Sequence, residues 1–263
     1  MHSRRLLVAA IVLPLFYFYI SKLSPYYFLA LLLLINVLAQ REFTMMYRTK
    51  QPLALLGIVA GSAFLLVPLA PAALLPVLYP VLFMLTFMLI AAVRLFMIKD
   101  PVASLPDVAP ALTGFLYIPP LLLSQWYLRM QGYEWILFLY GCVWASDSAA
   151  YYIGKSIGRR KLYKEVSPNK TVAGGLGSVA GGAFAALLFG SLLLKGIGIP
   201  LLLGIGAVVG AVTIVGDLVE SMFKRDAGVK DSGALIPGHG GVLDKIDGVL
   251  FAGPVLYGVT LLL

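Results

Sequence analysis

Acidic residues near the carboxyl end of the chain occur as two pairs, each with a spacing of three. Asp217 and Glu220 form one pair, and Asp244 and Asp247 form the other. Residues three apart lie on the same face of a helix, so each pair can offer two carboxylates to one ligand. Carboxylate oxygens suit Mg²⁺, which usually keeps waters and substrate phosphates among its ligands. Two such pairs on adjacent helix ends predict a cage for a hard cation.

Basic residues and glycines lie between the two acidic pairs. Lys224-Arg225 and Lys230-Asp231 supply cations that can pair with phosphate, and Pro237-Gly238-His239-Gly240-Gly241 supplies a flexible loop with one titratable imidazole. Acidic residues that can bind a metal, next to basic residues that can bind phosphate, are typical of phosphoryl or nucleotidyl transfer sites. A solvated loop of mixed charge is the alternative interpretation, and it does not require six acids so close to apolar segments.

Two further places upstream carry polar residues that need an explanation. Asp147 lies inside an apolar run, where an ionisable group costs about 2.5–3.5 kcal/mol on insertion scales. The position of Asp147 indicates a functional role for this residue. The alternative is that Asp147 takes part in a helix-packing hydrogen bond with Ser146 and Ser148. Ser167-Pro168-Asn169-Lys170-Thr171 precedes a glycine-rich run, a pattern typical of a phosphate-binding helix N-terminus. The basic residues from Lys155 to Lys164 are sufficiently explained as an anchor to anionic headgroups.

The amino-acid composition indicates the class of protein that carries these acidic and basic residues. The chain has 263 residues, of which 60% are hydrophobic and 12% charged, and its mean hydropathy is +0.94. Because a soluble domain has about a quarter charged residues, a water-soluble enzyme is excluded. The single cysteine, Cys142, excludes a disulfide framework, and the distance in sequence between His2 and His239 excludes a histidine-rich metal centre. We therefore predict an all-α, polytopic integral membrane protein.

About 20 apolar residues are needed to cross a bilayer as a helix, and the chain contains nine such candidates. They lie near residues 6–21, 23–39, 52–70, 73–98, 108–124, 134–153, 172–194, 197–219 and 247–263. With a cytoplasmic N-terminus, all of the 20 Lys and Arg except Lys22, Arg129 and Lys195 fall on the cytoplasmic side. This asymmetry follows the positive-inside rule and predicts a cytoplasmic site. It also accounts for the net charge of +8 without nucleic-acid binding.

The polar residues divide the chain into two predicted regions. Residues 1–133 are chemically quiet and are predicted to form a helical scaffold, whereas residues 134–263 carry the catalytic groups, with the densest motif at 221–247. Glycine-rich runs, such as those around Gly57, Gly177 and Gly206, are typical of close helix packing. We also expect a homodimer, from the glycine-rich seventh span and the quiet amino-terminal half.

The carboxyl-terminal motif resembles the signature of the phosphatidate cytidylyltransferases, also called CDP-diacylglycerol synthases. The resemblance covers 27 contiguous positions, from Ser221-Met222-Phe223-Lys224-Arg225 through Lys230-Asp231-Ser232-Gly233 to Ile236-Pro237-Gly238-His239-Gly240-Gly241-Val242-Leu243-Asp244-Lys245-Ile246-Asp247. The segment from Asp147 to Gly174 is also similar to the family. Two positions depart from the family pattern: the family usually has arginine at the position of Lys245 and glutamate at the position of Ala173.

The resemblance implies an Mg²⁺-dependent enzyme of a bacterial-type inner membrane that converts CTP and phosphatidate to CDP-diacylglycerol and pyrophosphate. It implies metal ligands at Asp217, Asp244 and Asp247, with Glu220 as a weaker candidate, and phosphate contacts from Lys170, Lys224, Arg225 and Lys230. His239 is expected to contact substrate or to aid the leaving pyrophosphate, and Asp147 either joins the metal cluster or orients Lys170. The remaining expected substrate contacts are Ser167, Thr171, Ser221, Asp231, Gly240 and Gly241.

Two other functions compete with this interpretation. A CDP-alcohol phosphotransferase also uses aspartates at membrane helix ends, but it needs a further paired-aspartate segment downstream of Gly248. An ion-coupled transporter could use Asp147 and Asp217 as ion sites among broken helices, but the predicted spans do not divide into two matched halves. Only the enzyme interpretations predict Mg²⁺-dependent recognition of a cytidine nucleotide.

Overall fold

The structure is a computed structural model that describes residues 14–235 and 240–263, and helices dominate it. Residues 14–22 are helical and are named α1. The other helices are α2 (Pro25–Met46), α3 (Gln51–Leu66), α4 (Leu75–Met97), α5 (Ser104–Tyr117), α6 (Pro119–Gln131), α7 (Tyr133–Ile157), α8 (Val172–Leu193), α9 (Ile199–Asp226) and α10 (Leu243–Thr260). The prediction of an all-α membrane architecture is confirmed in this coarse form.

Prolines explain where several helices begin and why one predicted span is broken. Pro25, Pro52 and Pro200 stand in the first turn of their helices, where the missing N–H has no intrahelical partner to lose. The predicted span at 108–124 is instead two helices, α5 and α6, which meet at Ile118. Pro119-Pro120 removes two consecutive backbone donors, so the helical hydrogen bonds cannot continue through this point.

Within residues 14–235 and 240–263, six helical segments are long and apolar enough to cross a membrane. They are Pro25–Met46, Gln51–Leu69, Ala72–Met97, Ser104–Gln131, Val172–Leu193 and Ile199–Asp226. Helices α7 and α10, both predicted as spans, are outside this group, and much of the first predicted span lies outside the described residues. Six spans are therefore supported by length and composition where nine were predicted.

Close helix packing accounts for the glycines of the carboxyl-terminal region, as predicted. On α8, Gly182 lies against Gly206 of α9, and the Ser178 hydroxyl donates a hydrogen bond of 2.8 Å to the Gly210 carbonyl. Gly177, also on α8, approaches the backbone of Ala149 on α7. A β-carbon at Gly182 or Gly210 would overlap backbone atoms of the facing helix. The three helices can therefore bring their polar ends close together.

A short β-hairpin, which the all-α prediction did not include, connects α7 to α8. Strands β1 (Lys161–Tyr163) and β2 (Ser167–Thr171) are antiparallel, with Lys161 opposite Thr171 and Tyr163 opposite Ser167. Thr171 ends β2 and is also the N-cap of α8, where its hydroxyl accepts a 3.1 Å hydrogen bond from the Gly174 amide. This cap satisfies one of the free donors at the helix start and fixes the hairpin against α8.

The amino-terminal helices are held together partly by a cluster of three charges, of which Arg94 is buried. Arg94, near the end of α4, donates to Asp107 Oδ2 at 2.7 Å and to the carbonyls of Ile98 and Val102. Lys50 reaches the same Asp107 oxygen at 2.7 Å from the start of α3. One apolar core contains buried side chains from both predicted regions, including Phe43 and Leu250. The boundary near residue 133 stays a prediction.

Candidate active site

Many of the predicted functional residues line one cavity of about 740 Å³. Its walls are the carboxyl-terminal half of α7, the hairpin, the first turns of α8 and α10 and the last turns of α9. The polar and charged residues that line it are Asp147, Tyr151, Lys155, Lys161, Ser167, Asn169, Lys170, Thr171, Ser178, Asp217, Lys224, Asp244 and Asp247. Segments far apart in sequence thus place acids and bases on a common surface.

Three carboxylates converge beside this cavity. Asp217 and Glu220, on α9, and Asp247, on α10, each offer an oxygen, and these oxygens lie within 4.8 Å of one another. Glu220 is fully buried, whereas Asp217 and Asp247 are partly exposed. Repulsion among three acids in so small a space must be compensated by cations. The oxygen-only donor set fits a hard divalent cation such as Mg²⁺.

Two lysines provide part of that compensation. Lys170 Nζ, at the end of the hairpin, lies 2.6 Å from Asp217 Oδ2. Lys224 Nζ pairs with Glu220 one turn earlier on α9 and lies 2.6 Å from Asp244 Oδ1 on α10. Each lysine therefore joins two elements of the site and sets positive charge next to the acids.

Asp244 has a different environment from the three converging carboxylates. Its Oδ2 accepts hydrogen bonds from the amides of Ser232 and Gly241, at 3.0 and 2.7 Å, and lies 2.9 Å from the Ser232 hydroxyl. Burial opposes ionisation of this carboxyl, but the Lys224 ammonium and these donors stabilise its charged form. Asp244 is thus an ionised acceptor held by protein donors, and its predicted role as a metal ligand is untested.

The structure brings some of the predicted substrate-binding residues into the cavity and places others beside it. Asp147, Ser167, Lys170 and Thr171 line the cavity. Ser221 is buried and donates a long hydrogen bond of 3.4 Å to Asp217 Oδ1.

Other predicted contacts lie away from the cavity. The Arg225 guanidinium donates to the carbonyls of Val166 and Val229, at 3.2 and 2.8 Å, and therefore braces the hairpin. Lys230 and Asp231 are exposed and are not among the described residues that line the cavity. Gly240 and Gly241 flank Asp244, and His239 lies outside the described residues.

Sequence reasoning missed several residues of the site. Lys155 and Lys161, interpreted as headgroup anchors, line the cavity. Helix α2, expected to be chemically quiet, places Glu42 against Ser232, Val242 and Leu243. The available signal was an acid, Glu42, near the end of the largely apolar helix α2, but nothing in one sequence indicates which distant loop such an acid contacts.

Comparison with known proteins identifies the family. Residues 3–263 match the Cytidylyltransferase family. The chain belongs to this family.

Individual relatives agree with the family assignment. A phosphatidate cytidylyltransferase from Synechocystis sp. is 34% identical over 307 aligned positions, which cover 100% of this chain and 98% of the relative. Proteins of the same name from Bacillus subtilis and Brucella suis biovar 1 are 45% and 44% identical. The Bacillus alignment covers 49% of this chain and 48% of the relative, and the Brucella alignment covers 48% and 46%. The family resemblance stated from the sequence is confirmed.

For a member of the cytidylyltransferase family, the arrangement of the cavity has a direct chemical meaning. Nucleotide triphosphates carry several negative charges, and Lys155, Lys161, Lys170 and Lys224 set ammonium groups around one space. The converging oxygens of Asp217, Glu220 and Asp247 could hold a cation, and two of these acids, Asp217 and Asp247, line the same cavity. Both features are needed to bring two anionic phosphates together.

Proposed function

We propose that this protein is a phosphatidate cytidylyltransferase, which transfers the cytidylyl group of CTP to phosphatidate and yields CDP-diacylglycerol and pyrophosphate. The observation that carries the proposal is the single cavity lined by Asp217, Asp247 and four lysines in a chain of this family. The full-length similarity to the Synechocystis protein of that name supports the choice of substrates.

The converging carboxylates of Asp217, Glu220 and Asp247 would hold the Mg²⁺ ion. Their oxygens are close enough to share one cation, and hard oxygen ligands match its preference. Mg²⁺ held by these residues would neutralise negative charge on the reacting phosphates. Glu220 is buried and pairs with Lys224, so we assign the more accessible ligand positions to Asp217 and Asp247.

The lysines would bind the phosphates of the two substrates. An oxygen of the lipid phosphate forms a bond to the α-phosphorus of CTP, and the bond from that phosphorus to the bridging oxygen breaks. Pyrophosphate leaves with the electron pair. Because the attacking phosphate is already ionised near neutral pH, no strong general base is required. Lys170 and Lys224 are suited to hold phosphates because both line the cavity and already lie beside acids that a cation would engage.

We place the cavity at the cytoplasmic face, with α7 and α10 as additional spans beside the six apolar segments. The distribution of basic residues supports this orientation, since the exposed residues Arg159, Arg160, Lys161 and Lys164 lie at the end of the molecule that carries the cavity. A homodimer stays a prediction, and α4, most of whose surface is exposed, is the face available for lipid or for a second copy.

Purified protein in detergent, supplied with CTP, phosphatidate and Mg²⁺, should form CDP-diacylglycerol detectable by mass spectrometry. ATP in place of CTP should give no liponucleotide, and a CDP-alcohol phosphotransferase would instead consume CDP-diacylglycerol when given an alcohol acceptor. An ion-coupled transporter would form no liponucleotide at all. Folded protein that forms no CDP-diacylglycerol under these conditions would contradict the proposal.

A further inference from the structure

Helix α2 carries a buried carboxylate, Glu42, that is not among the residues lining the cavity. Glu42 is 9% exposed and accepts hydrogen bonds from Ser232, Val242 and Leu243. Its Oε1 accepts from the Val242 amide at 2.9 Å. Its Oε2 accepts from the Leu243 amide at 2.9 Å and lies 3.1 Å from the Ser232 hydroxyl.

These contacts make Glu42 the N-terminal cap of α10. Val242 is the N-cap residue of that helix and Leu243 its first residue, and the side chain of Val242 cannot accept a hydrogen bond. Free amides at a helix start need acceptors, and negative charge there is favourable. The cap is therefore supplied by a different helix, 200 residues earlier in the chain.

A chain of polar contacts continues from Glu42 to the cavity. The Ser232 hydroxyl lies between Glu42 Oε2 and Asp244 Oδ2, at 3.1 and 2.9 Å, and it has one proton to share between them. Asp244 in turn binds the Lys224 ammonium at 2.6 Å. Because each member is held by its neighbours, a change at Glu42 is transmitted to Asp244 and Lys224.

The Glu42 carboxylate fits where it does because the residues next to it are glycines, which have no side chain to occupy that space. A β-carbon at Gly233 would lie 2.9 Å from Glu42 Oε1, 3.0 Å from its Cδ and 3.1 Å from its Cγ, and these are its three nearest atoms. A β-carbon at Gly241 would overlap Glu42 Oε2 and the Ser232 hydroxyl oxygen. Two glycines of the 221–247 motif thus leave space for an acid of α2.

A second contact near the end of α2 also holds a helix end of the site in place. The Tyr47 hydroxyl, directly after α2, lies 3.2 Å from the Phe223 carbonyl oxygen and 2.9 Å from Asp226 Oδ2, at the end of α9. Helix α2 therefore fixes the end of α9 through Tyr47 and the start of α10 through Glu42. These two helix ends carry Lys224 and Asp244.

We propose that Glu42 is a positioning residue of the active site, which caps α10 and holds Ser232 and Asp244 so that Asp244 orients Lys224 toward the cavity. The inference rests on the proposed function for its kinetic consequence only. The contacts of Glu42 with the backbone can be tested without any assay of activity.

The test compares Glu42→Gln with Thr44→Val in the full-length protein. Glutamine turns one acceptor of Glu42 into a donor that faces a backbone N–H. Thr44 is also buried on α2, but its hydroxyl donates to the carbonyls of Gln40 and Arg41 in its own helix. Hydrogen–deuterium exchange should accelerate in Glu42→Gln for the peptide that contains Val242 and Leu243. Exchange elsewhere, and exchange throughout Thr44→Val, should match the wild type.

The kinetic arm measures the KM for CTP. Partial unfolding lowers kcat alone, whereas misplacement of Lys224 weakens substrate binding. Since loss of a supporting contact typically costs about 10- to 100-fold, we expect a rise in KM of about 10-fold in Glu42→Gln and no change in Thr44→Val. Gly233→Ala should have a similar effect, and combining it with the shorter Glu42→Asp should cost less than the sum of the two.

The outcomes separate this inference from the proposed function. Local acceleration of exchange at residues 242–243 together with a raised KM supports the role of Glu42. Wild-type exchange at these amides, uniform acceleration across the protein, or an unchanged KM in an active Glu42→Gln variant would overturn it. If the wild-type protein forms no CDP-diacylglycerol, the proposed function fails, and the exchange result alone decides whether Glu42 positions α10.

Discussion

Lys170 Nζ and Asp217 Oδ2 lie 2.6 Å apart in the lining of the cavity and join the β-hairpin to α9. The side chains are 17% and 36% exposed, so the pair is accessible to a ligand yet sheltered from bulk water. The ion pair keeps the proposed phosphate-binding cation beside the proposed metal-binding carboxylate.

Replacing Lys170 by glutamine should therefore impair catalysis more than stability. The change removes a cation for phosphate and leaves Asp217 without its partner, and loss of one such electrostatic contact costs about 100-fold or more in rate. Initial rates of CDP-diacylglycerol formation measure the effect. Lys195→Gln is the matched control, since Lys195 is exposed in the turn between α8 and α9, and it should retain the wild-type rate. Equal rates for the two variants would show that Lys170 does not contribute to catalysis.

Asp247 and Asp244 should respond differently to the same substitution. Asp247→Asn removes a converging carboxylate and should raise the Mg²⁺ concentration for half-maximal rate by about 10-fold or more. Asp244→Asn weakens the hold on Lys224 and should chiefly raise the KM for CTP. Titrations of Mg²⁺ at saturating CTP distinguish the two. An increased Mg²⁺ requirement in Asp244→Asn would instead make Asp244 a metal ligand, as the sequence resemblance implies.

The charge cluster of the amino-terminal helices predicts a stability difference between two equally short ion pairs. Arg94 and Lys50 both lie 2.7 Å from Asp107 Oδ2, but their side chains are 5% and 45% exposed. Asp107→Asn leaves the buried Arg94 without its partner and should cost about 3 kcal/mol. Lys50→Gln removes only the exposed pair and should cost less than about 1 kcal/mol. Thermal unfolding in detergent should rank the variants in this order, and the reverse order would refute the argument from burial.

The proposed orientation can be tested with single cysteines. The natural Cys142 is fully buried, so it provides a background of low reactivity. Lys164→Cys, in the hairpin, should be labelled by a membrane-impermeant maleimide only after permeabilisation. Lys195→Cys should be labelled in intact spheroplasts. The opposite pattern would place the cavity on the outer face.

Helix positions were predictable because apolar runs, prolines and glycines act locally. The prediction at 172–194 agrees with α8 within a residue at each end, and the glycines of α8 and α9 pack as expected. The break at Ile118 was not predicted, although the Pro119-Pro120 pair that causes it was visible. The hairpin was also missed, since its two strands have only three and five residues and lack an apolar alternation.

The site was predictable where its residues are close in sequence and not where they are distant. Spacing alone placed Asp217 and Glu220 on one helical face and predicted Asp244 and Asp247 opposite them. In the structure Asp247 lies beside the first pair, whereas Asp244 pairs with Lys224. The contact between Glu42 and the start of α10 depends on how α2 packs, which a single sequence does not encode locally. The same limit explains why Lys155 and Lys161 were interpreted as anchors rather than as walls of the cavity.

The most direct test of the central claim follows the phosphates of CTP. Wild-type protein and Asp217→Asn would be incubated with Mg²⁺, phosphatidate and CTP labelled at either the α- or the γ-phosphate. The account predicts that α-label enters the lipid and γ-label appears in pyrophosphate in equal amounts with the wild-type protein, with both products strongly reduced in Asp217→Asn. Transfer of γ-label to the lipid, or α-label transfer that is unaffected in Asp217→Asn, would contradict it.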